Sequence, residues 1–220
     1  MSNTDSFIDE VSEEVRRERL WGLVRRWGWL PVLLVVLLVG GAGYNEYRKS
    51  TERAQAQSLG DGITAALEGD IEARAEALSG LSADGTAGAV VAFLTSAGEL
   101  ETENAEAALA RLEAIEADMS LPEHYRHLAT LKRILASADS TAPDERIAAL
   151  GPLTVARAPY RLLALEQTAI AQVEAGDEDA AITGLRTILN DSAATEGLRR
   201  RASQLIVALG ADPAAEASTQ

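Results

Sequence analysis

The chain has 220 residues, a formal net charge of −14 and a pI of about 4.6. So acidic a chain does not hold a phosphate backbone by general electrostatics, which argues against nucleic acid as a partner. It contains no cysteine, and this removes disulfides, thiolate catalysis, iron–sulfur clusters and a bacterial lipid-anchor cysteine together. Its aromatic residues are unevenly placed. All three tryptophans (Trp21, Trp27, Trp29) and two of the four tyrosines (Tyr44, Tyr47) fall near the N-terminus, and beyond them only Phe93, Tyr125 and Tyr160 occur. Such a division predicts two parts suited to different solvents.

Residues 1–26 come first. Phe7, Ile8, Val11, Val15 and Leu20 recur at about helical spacing among charged residues. They predict a short amphipathic lead-in that lies along a membrane surface, docks on a partner or is simply solvated. Its acidic first half is repelled by anionic lipid, and the arginines that follow are attracted to it.

Residues 27–45 form a run of 19 without a charge, and Leu30–Val39 contains nine Leu or Val. At 1.5 Å per residue the run reaches about 28 Å, close to the hydrocarbon thickness of a bilayer. It therefore predicts a transmembrane helix. Trp27 and Trp29 at one end, and Tyr44 and Tyr47 at the other, match interfacial belts. Pro31 stands near the start, where a missing N–H costs least. Arg16, Arg17, Arg19, Arg25 and Arg26 precede the run, against Arg48, Lys49 and Arg53 after it. That excess predicts a cytoplasmic N-terminus and a C-terminal part across the membrane. A cleaved signal peptide fits less well, because the 26 preceding residues include six acidic ones and signal peptides begin short and basic. The small residues Gly41-Ala42-Gly43 leave a cleavage point open. Neither Arg16-Arg17 nor Arg25-Arg26 has a twin-arginine context, since Arg19 stands where an apolar residue belongs.

From Glu46 onward the pattern is all-α, with apolar positions three and four apart and breaks at Gly, Pro and Asp. Helices are predicted over 46–67, 71–81, 86–100, 104–117, 121–138, 144–156, 158–175, 178–189 and 194–209, with a disordered tail over 211–220. Gly69-Asp70 and Gly176-Asp177 are similar turns. Asn104 and Asp144 also fit a helix start, where a side-chain oxygen caps free N–H groups. Positions 70, 104, 144 and 177 are separated by 34, 40 and 33 residues. A period near 34 is that of the tetratricopeptide repeat.

The sharpest unit runs from Tyr160 to Leu189. Ala169 takes the small position of its first helix, Gly176 the turn and Ala181 the small position of the second helix, followed by Leu185 and Ile188. The unit 92–115 matches with Ala108, Leu112 and Ile115. Small side chains let paired helices approach, and larger ones fill the groove between pairs. Where the repeat usually places large aromatics, this chain has Glu99 and Gln172, so its repeats are degenerate. An irregular alanine-rich bundle is the plainer alternative.

No catalytic or cofactor motif emerges. His124 and His127 stand with Glu123 after Pro122, and a spacing of three can place two histidines on one helical face. It is not the metalloprotease spacing of four, and no third ligand is evident. They are read as exposed polar residues, not as metal ligands. Carboxylates number 28 from Glu46 onward, against 15 Lys and Arg. At that abundance they mark a solvated surface. Phosphate-binding loops and nucleophile elbows are missing. The expectation is a protein without enzymatic activity, cofactor or small-molecule substrate.

The layout resembles the ancillary SecYEG translocon subunit family (YfgM-like), in its alphaproteobacterial form. The resemblance rests on Phe7-Ile8-Asp9-Glu10-Val11, on Glu13 to Leu20, on Arg26-Trp27-Gly28 before the span, and on the repeat region after it. The repeat region is also similar to that of the cell-division coordinator family, which lacks this anchor. The first resemblance implies a single-pass inner-membrane protein with a periplasmic repeat domain. It also implies association with the SecYEG channel and periplasmic chaperones during handover of exported chains. The alternative function is an envelope or cell-division scaffold on the same fold. An acidic repeat surface favours basic partners.

Overall fold

The computed structural model describes residues 29–214. Among them the chain is entirely helical, with nine α-helices and no strand. The lead-in over 1–26, its arginines and Trp27 lie outside the described residues, as does most of the tail expected over 211–220. Two compact units divide the chain, Met1–Ser58 and Leu59–Gln220.

Helix α1 runs unbroken from Trp29 to Glu68, so the apolar run and the helix predicted over 46–67 are one helix. No proline interrupts it after Pro31, and an Arg48–Glu52 pair at 2.8 Å supports its surface one turn apart. In the first unit Leu33 to Val39 are all exposed, between 41% and 66%, and Trp29, Tyr44 and Tyr47 are exposed too. Among the described residues no helix is long and apolar enough to cross a membrane. Leu33–Val39 by itself reaches only about 10 Å along the axis.

The second unit is built from α2 (Ile71–Ser79), α3 (Gly85–Glu101), α4 (Ala105–Ala117), α5 (Glu123–Ala136), α6 (Pro143–Leu150), α7 (Arg161–Glu174), α8 (Glu178–Asn190) and α9 (Glu196–Ala208). The helix expected over 144–156 is shorter, because Gly151 and Pro152 turn the chain into a single 3-10 turn, Gly151–Leu153. Proline cannot donate the N–H that a further α turn requires.

Each helix packs on its neighbour in sequence from α2 to α9, and the α5–α6 seam is the thinnest. Three apolar clusters result. Ala89 and Phe93 of α3 meet Leu112 and Ile115 of α4, Leu121 of the loop that follows, and Ala129 of α5. Leu131 and Ile134 of α5 meet Leu150, Leu153 and Ala164. Ala169 of α7 meets Ala181, Leu185 and Ile188 of α8, and Leu198, Ala202 and Ile206 of α9. Helices α5 and α7 therefore each serve two successive clusters. Close approach is enforced elsewhere by glycine. A Cβ on Gly98 of α3 would come within 3.2 Å of the Ala75 methyl on α2.

Two turns repeat in detail. At the end of α3, Glu103 has φ 59 and the Asn104 N–H donates to the Glu99 carbonyl at 2.8 Å. At the end of α7, Gly176 has φ 83 and the Asp177 N–H donates to the Gln172 carbonyl at 2.8 Å. The left-handed residue reverses the chain so that the freed carbonyl finds a donor. Glycine adopts that conformation without the steric cost that Glu103 bears.

The capping expectations need correction. Asp177 accepts from the Ala180 N–H at 3.1 Å and caps α8. Asp70 and Asn104 occupy N-cap positions without a side-chain cap bond. Asp144 is no cap at all, because Ala142 holds that place and Pro143 begins α6. A sequence spacing finds the turn, but whether the side chain bends back depends on the local backbone angles.

Candidate interaction surface

Among the described residues six ion pairs join one helical segment to another in the second unit. Arg74 reaches Glu101 at 3.4 Å between α2 and α3. Arg111 of α4 donates through Nε and Nη2 to both oxygens of Glu99 on α3, at 3.1 and 2.7 Å. Arg133 of α5 likewise grips Glu116 of α4 at 2.8 and 3.2 Å. Arg146 of α6 pairs with Glu174 of α7, and Arg161 of α7 with Asp191 after α8. Arg201 of α9 donates to both oxygens of Glu166 on α7, at 2.6 and 2.8 Å. Two-pronged pairing fixes orientation as well as distance. Hydrogen bonding to the partner carboxylate is the main reason that Arg111, Arg133 and Arg201 hold their protons even more firmly than usual.

Glu99 is 7% exposed and Glu166 is 6% exposed. A buried carboxylate is costly unless paired, so these two positions are polar contacts inside the helix stack. Arg111 supplies the pairing for Glu99 across the α3–α4 contact.

Between α7 and α9 lies an open groove of about 370 Å³, lined by Glu166, Ile170, Arg201, Gln204, Leu205 and Ala208. None of these residues stood out in the sequence, because Arg201 and Glu166 belong to helices separated by α8. Their 35-residue separation has no local signal.

The packing residues named from the repeat pattern have these places. Ala108, Ala169, Ala181, Leu185 and Ile188 are each 0% exposed, Leu112 1% and Ile115 5%. Gly176 forms the α7–α8 turn and lies at the surface.

Of the two histidines expected at the surface, His127 departs from that expectation. His124 is exposed and its ring lies 4.6 Å from that of Tyr125. The His127 side chain is only 13% exposed, with Nε2 3.5 Å from a Glu123 oxygen, and its Nδ1 is buried without a partner. Its place one turn into α5 turns it toward the helix stack. Among the described residues no group of three metal-capable side chains assembles.

The fold and surface thus define an all-helical chain of successively packed helices stitched by arginine–carboxylate pairs. No family model, no curated protein and no solved structure matches this chain.

Proposed function

We propose that this protein is a single-pass inner-membrane scaffold. Residues 27–45 form its transmembrane helix, and residues 46–210 form a periplasmic α-solenoid of degenerate tetratricopeptide-like pairs. Its function is protein binding at the SecYEG translocon, where it assists handover of exported chains to periplasmic chaperones. It acts without catalysis or cofactor.

The observation that carries the reading is the exposure of seven successive large apolar side chains, Leu33 to Val39, around the whole circumference of α1. A helix apolar on every side needs an apolar surrounding. The uncharged run that contains them begins at Trp27 and is 19 residues long in the sequence. The solenoid reading is supported by α5 and α7, each shared between two clusters, which is how stacked repeats bury a continuous core. The translocon assignment rests on the resemblance of the lead-in and layout.

Photo-crosslinkers placed on α3, α5, α7 and α9 in living membranes test the assignment. Capture of channel subunits or periplasmic chaperones is the expected result. Capture of division or cell-wall proteins alone overturns the translocon role in favour of an envelope scaffold.

A further inference from the structure

The charge pairs of the second unit leave one helix boundary unpaired. Arg74–Glu101 joins α2 to α3, Arg111–Glu99 joins α3 to α4, and Arg133–Glu116 joins α4 to α5. Further along, Arg146–Glu174 joins α6 to α7, Arg161–Asp191 joins α7 to the end of α8, and Arg201–Glu166 joins α9 to α7. Among the described residues no ion pair and no side-chain hydrogen bond passes from residues 59–136 to residues 143–214. Helices α5 and α6 are also the neighbours with the thinnest contact. What crosses between them is apolar, with Leu131 and Ile134 of α5 against Leu150, Leu153 and Ala164. At the end of α5, Ser137 is buried with its hydroxyl unpartnered.

We propose that the α5–α6 boundary is a hinge, about which the helices up to α5 and the helices from α6 onward turn as two bodies. Where each helix touches chiefly its neighbours in sequence, one weak boundary divides the motion of the whole stack. Paired ions fix direction as well as distance, whereas apolar contact has no preferred direction. Each helix at the boundary is held to its own side. The two-pronged grip of Arg133 on Glu116 ties α5 to α4, and the buried Arg146 ties α6 to Glu174 of α7. Leu150 and Leu153 are 0% and 2% exposed, so the two bodies turn on a closed apolar pivot and do not part. Residues 137–142 between the two helices absorb the change in backbone angles, as segments at element ends do in hinged proteins. The hinge is a property of the packing and stands whatever partner the chain meets. It lets the angle between the two sets of helices adapt to that partner.

The test uses the full-length chain in detergent micelles. It contains no cysteine, so cysteines introduced in pairs at exposed positions take spin labels there alone. The crossing pair is Ala114→Cys on α4 with Ala148→Cys on α6. Two control pairs span as many helices without crossing the boundary: Ala77→Cys on α2 with Ala114→Cys, and Ala148→Cys with Thr187→Cys on α8. All four positions are exposed. Double electron–electron resonance is expected to give a broad or two-peaked distance distribution for the crossing pair and a single narrow one for each control. Arg146→Met removes the charge that holds α6 to its own side and is expected to broaden the Ala148–Thr187 distribution as well. Circular dichroism and thermal melting check that every labelled chain keeps its helices. The three pairs in the otherwise native chain carry the test without Arg146→Met. A crossing distribution as narrow as both controls overturns the proposal. Equal broadening of all three pairs overturns it too, since the motion then is not confined to the α5–α6 boundary. Indifference of the Ala148–Thr187 pair to Arg146→Met, in a chain that still folds, removes the charge pair as what holds α6.

Discussion

At the residue scale, stability in the second unit is divided between fully enclosed apolar side chains and paired charges. Leu185 is 0% exposed and sits in the α7–α8–α9 cluster. Truncating it removes favourable transfer energy and leaves a cavity that close-packed neighbours only partly fill. Leu185→Ala is expected to cost about 2–5 kcal/mol in urea unfolding. The charges predict a pH dependence. Asp118 is held below its ordinary value of 3.8 chiefly by the Ser120 hydroxyl, which donates to it, and by the Ser120 N–H. Asp191 is held below 3.8 chiefly by the Ala193 N–H, with the Arg161 guanidinium adding to it. A carboxylate with a lowered folded pKa takes up a proton more readily in the unfolded chain. Its contribution is thus complete above the ordinary value of 3.8 and is lost as pH falls through the lowered folded value. Acid titration followed by circular dichroism is expected to show a shallower loss of stability below that pH in Asp191→Asn than in the native chain. An unchanged acid limb would show that Asp191 does not supply it.

At the element scale, the two reversals after α3 and α7 share a backbone design and differ in their caps. Asp177 accepts a hydrogen bond from the third residue along, and Asn104 makes none. Asp177→Ala is therefore expected to destabilise by about 0.5–2 kcal/mol, the range for a lost N-cap. Asn104→Ala is expected to cost less, since no side-chain cap bond disappears. Thermal melts of the two single variants, compared side by side, check the ordering. The left-handed residues divide the other way. Gly176 is at ease with φ 83, and Glu103 bears the strain of φ 59. One helix end is thus favoured by its cap and its glycine together, whereas the other depends on tertiary packing and on the Glu99–Arg111 pair.

At the scale of the whole molecule, the two units present different surfaces. The second unit gathers most of its buried apolar residues into three clusters, and the N-terminal half of α1 leaves its apolar run Leu33–Val39 exposed. The nine Leu and Val residues of Leu30–Val39 contribute roughly −3 to −5 kcal/mol to insertion, and an arginine at the helix centre costs roughly 2.5–3.5 kcal/mol. Replacing Leu34 and Leu37 together by arginine is therefore expected to cancel the gain. Alkaline carbonate extraction should release this double variant from membranes and leave the native chain in the pellet. Retention of the variant in the pellet would remove residues 27–45 as the anchor.

All-helical character was legible from the 3.6-residue periodicity alone, because it follows from which residues repeat on one face. The same holds for the small and large positions Ala181, Leu185 and Ile188, whose sizes suit a close helix contact. The positions of most turns were legible too, because glycine and proline restrict the backbone locally. The continuity of α1 through Glu46 was not. A change from apolar to charged residues marks a change of surroundings, and a helix can pass through it unbroken. The early end of α6 was misjudged because apolar spacing continues past Gly151 and Pro152 while the backbone hydrogen bonds cannot. The partial burial of His127, the pairing of Arg201 with Glu166 and the groove beside them were beyond reach. The last two bring together residues of helices that are not neighbours in sequence, and only the packing of α7, α8 and α9 sets those distances. The sequence by itself determined which faces are apolar and where the chain turns, since both are local properties of side chains. The tertiary structure alone decided which charges meet and which stay free, since that depends on how the helices stack.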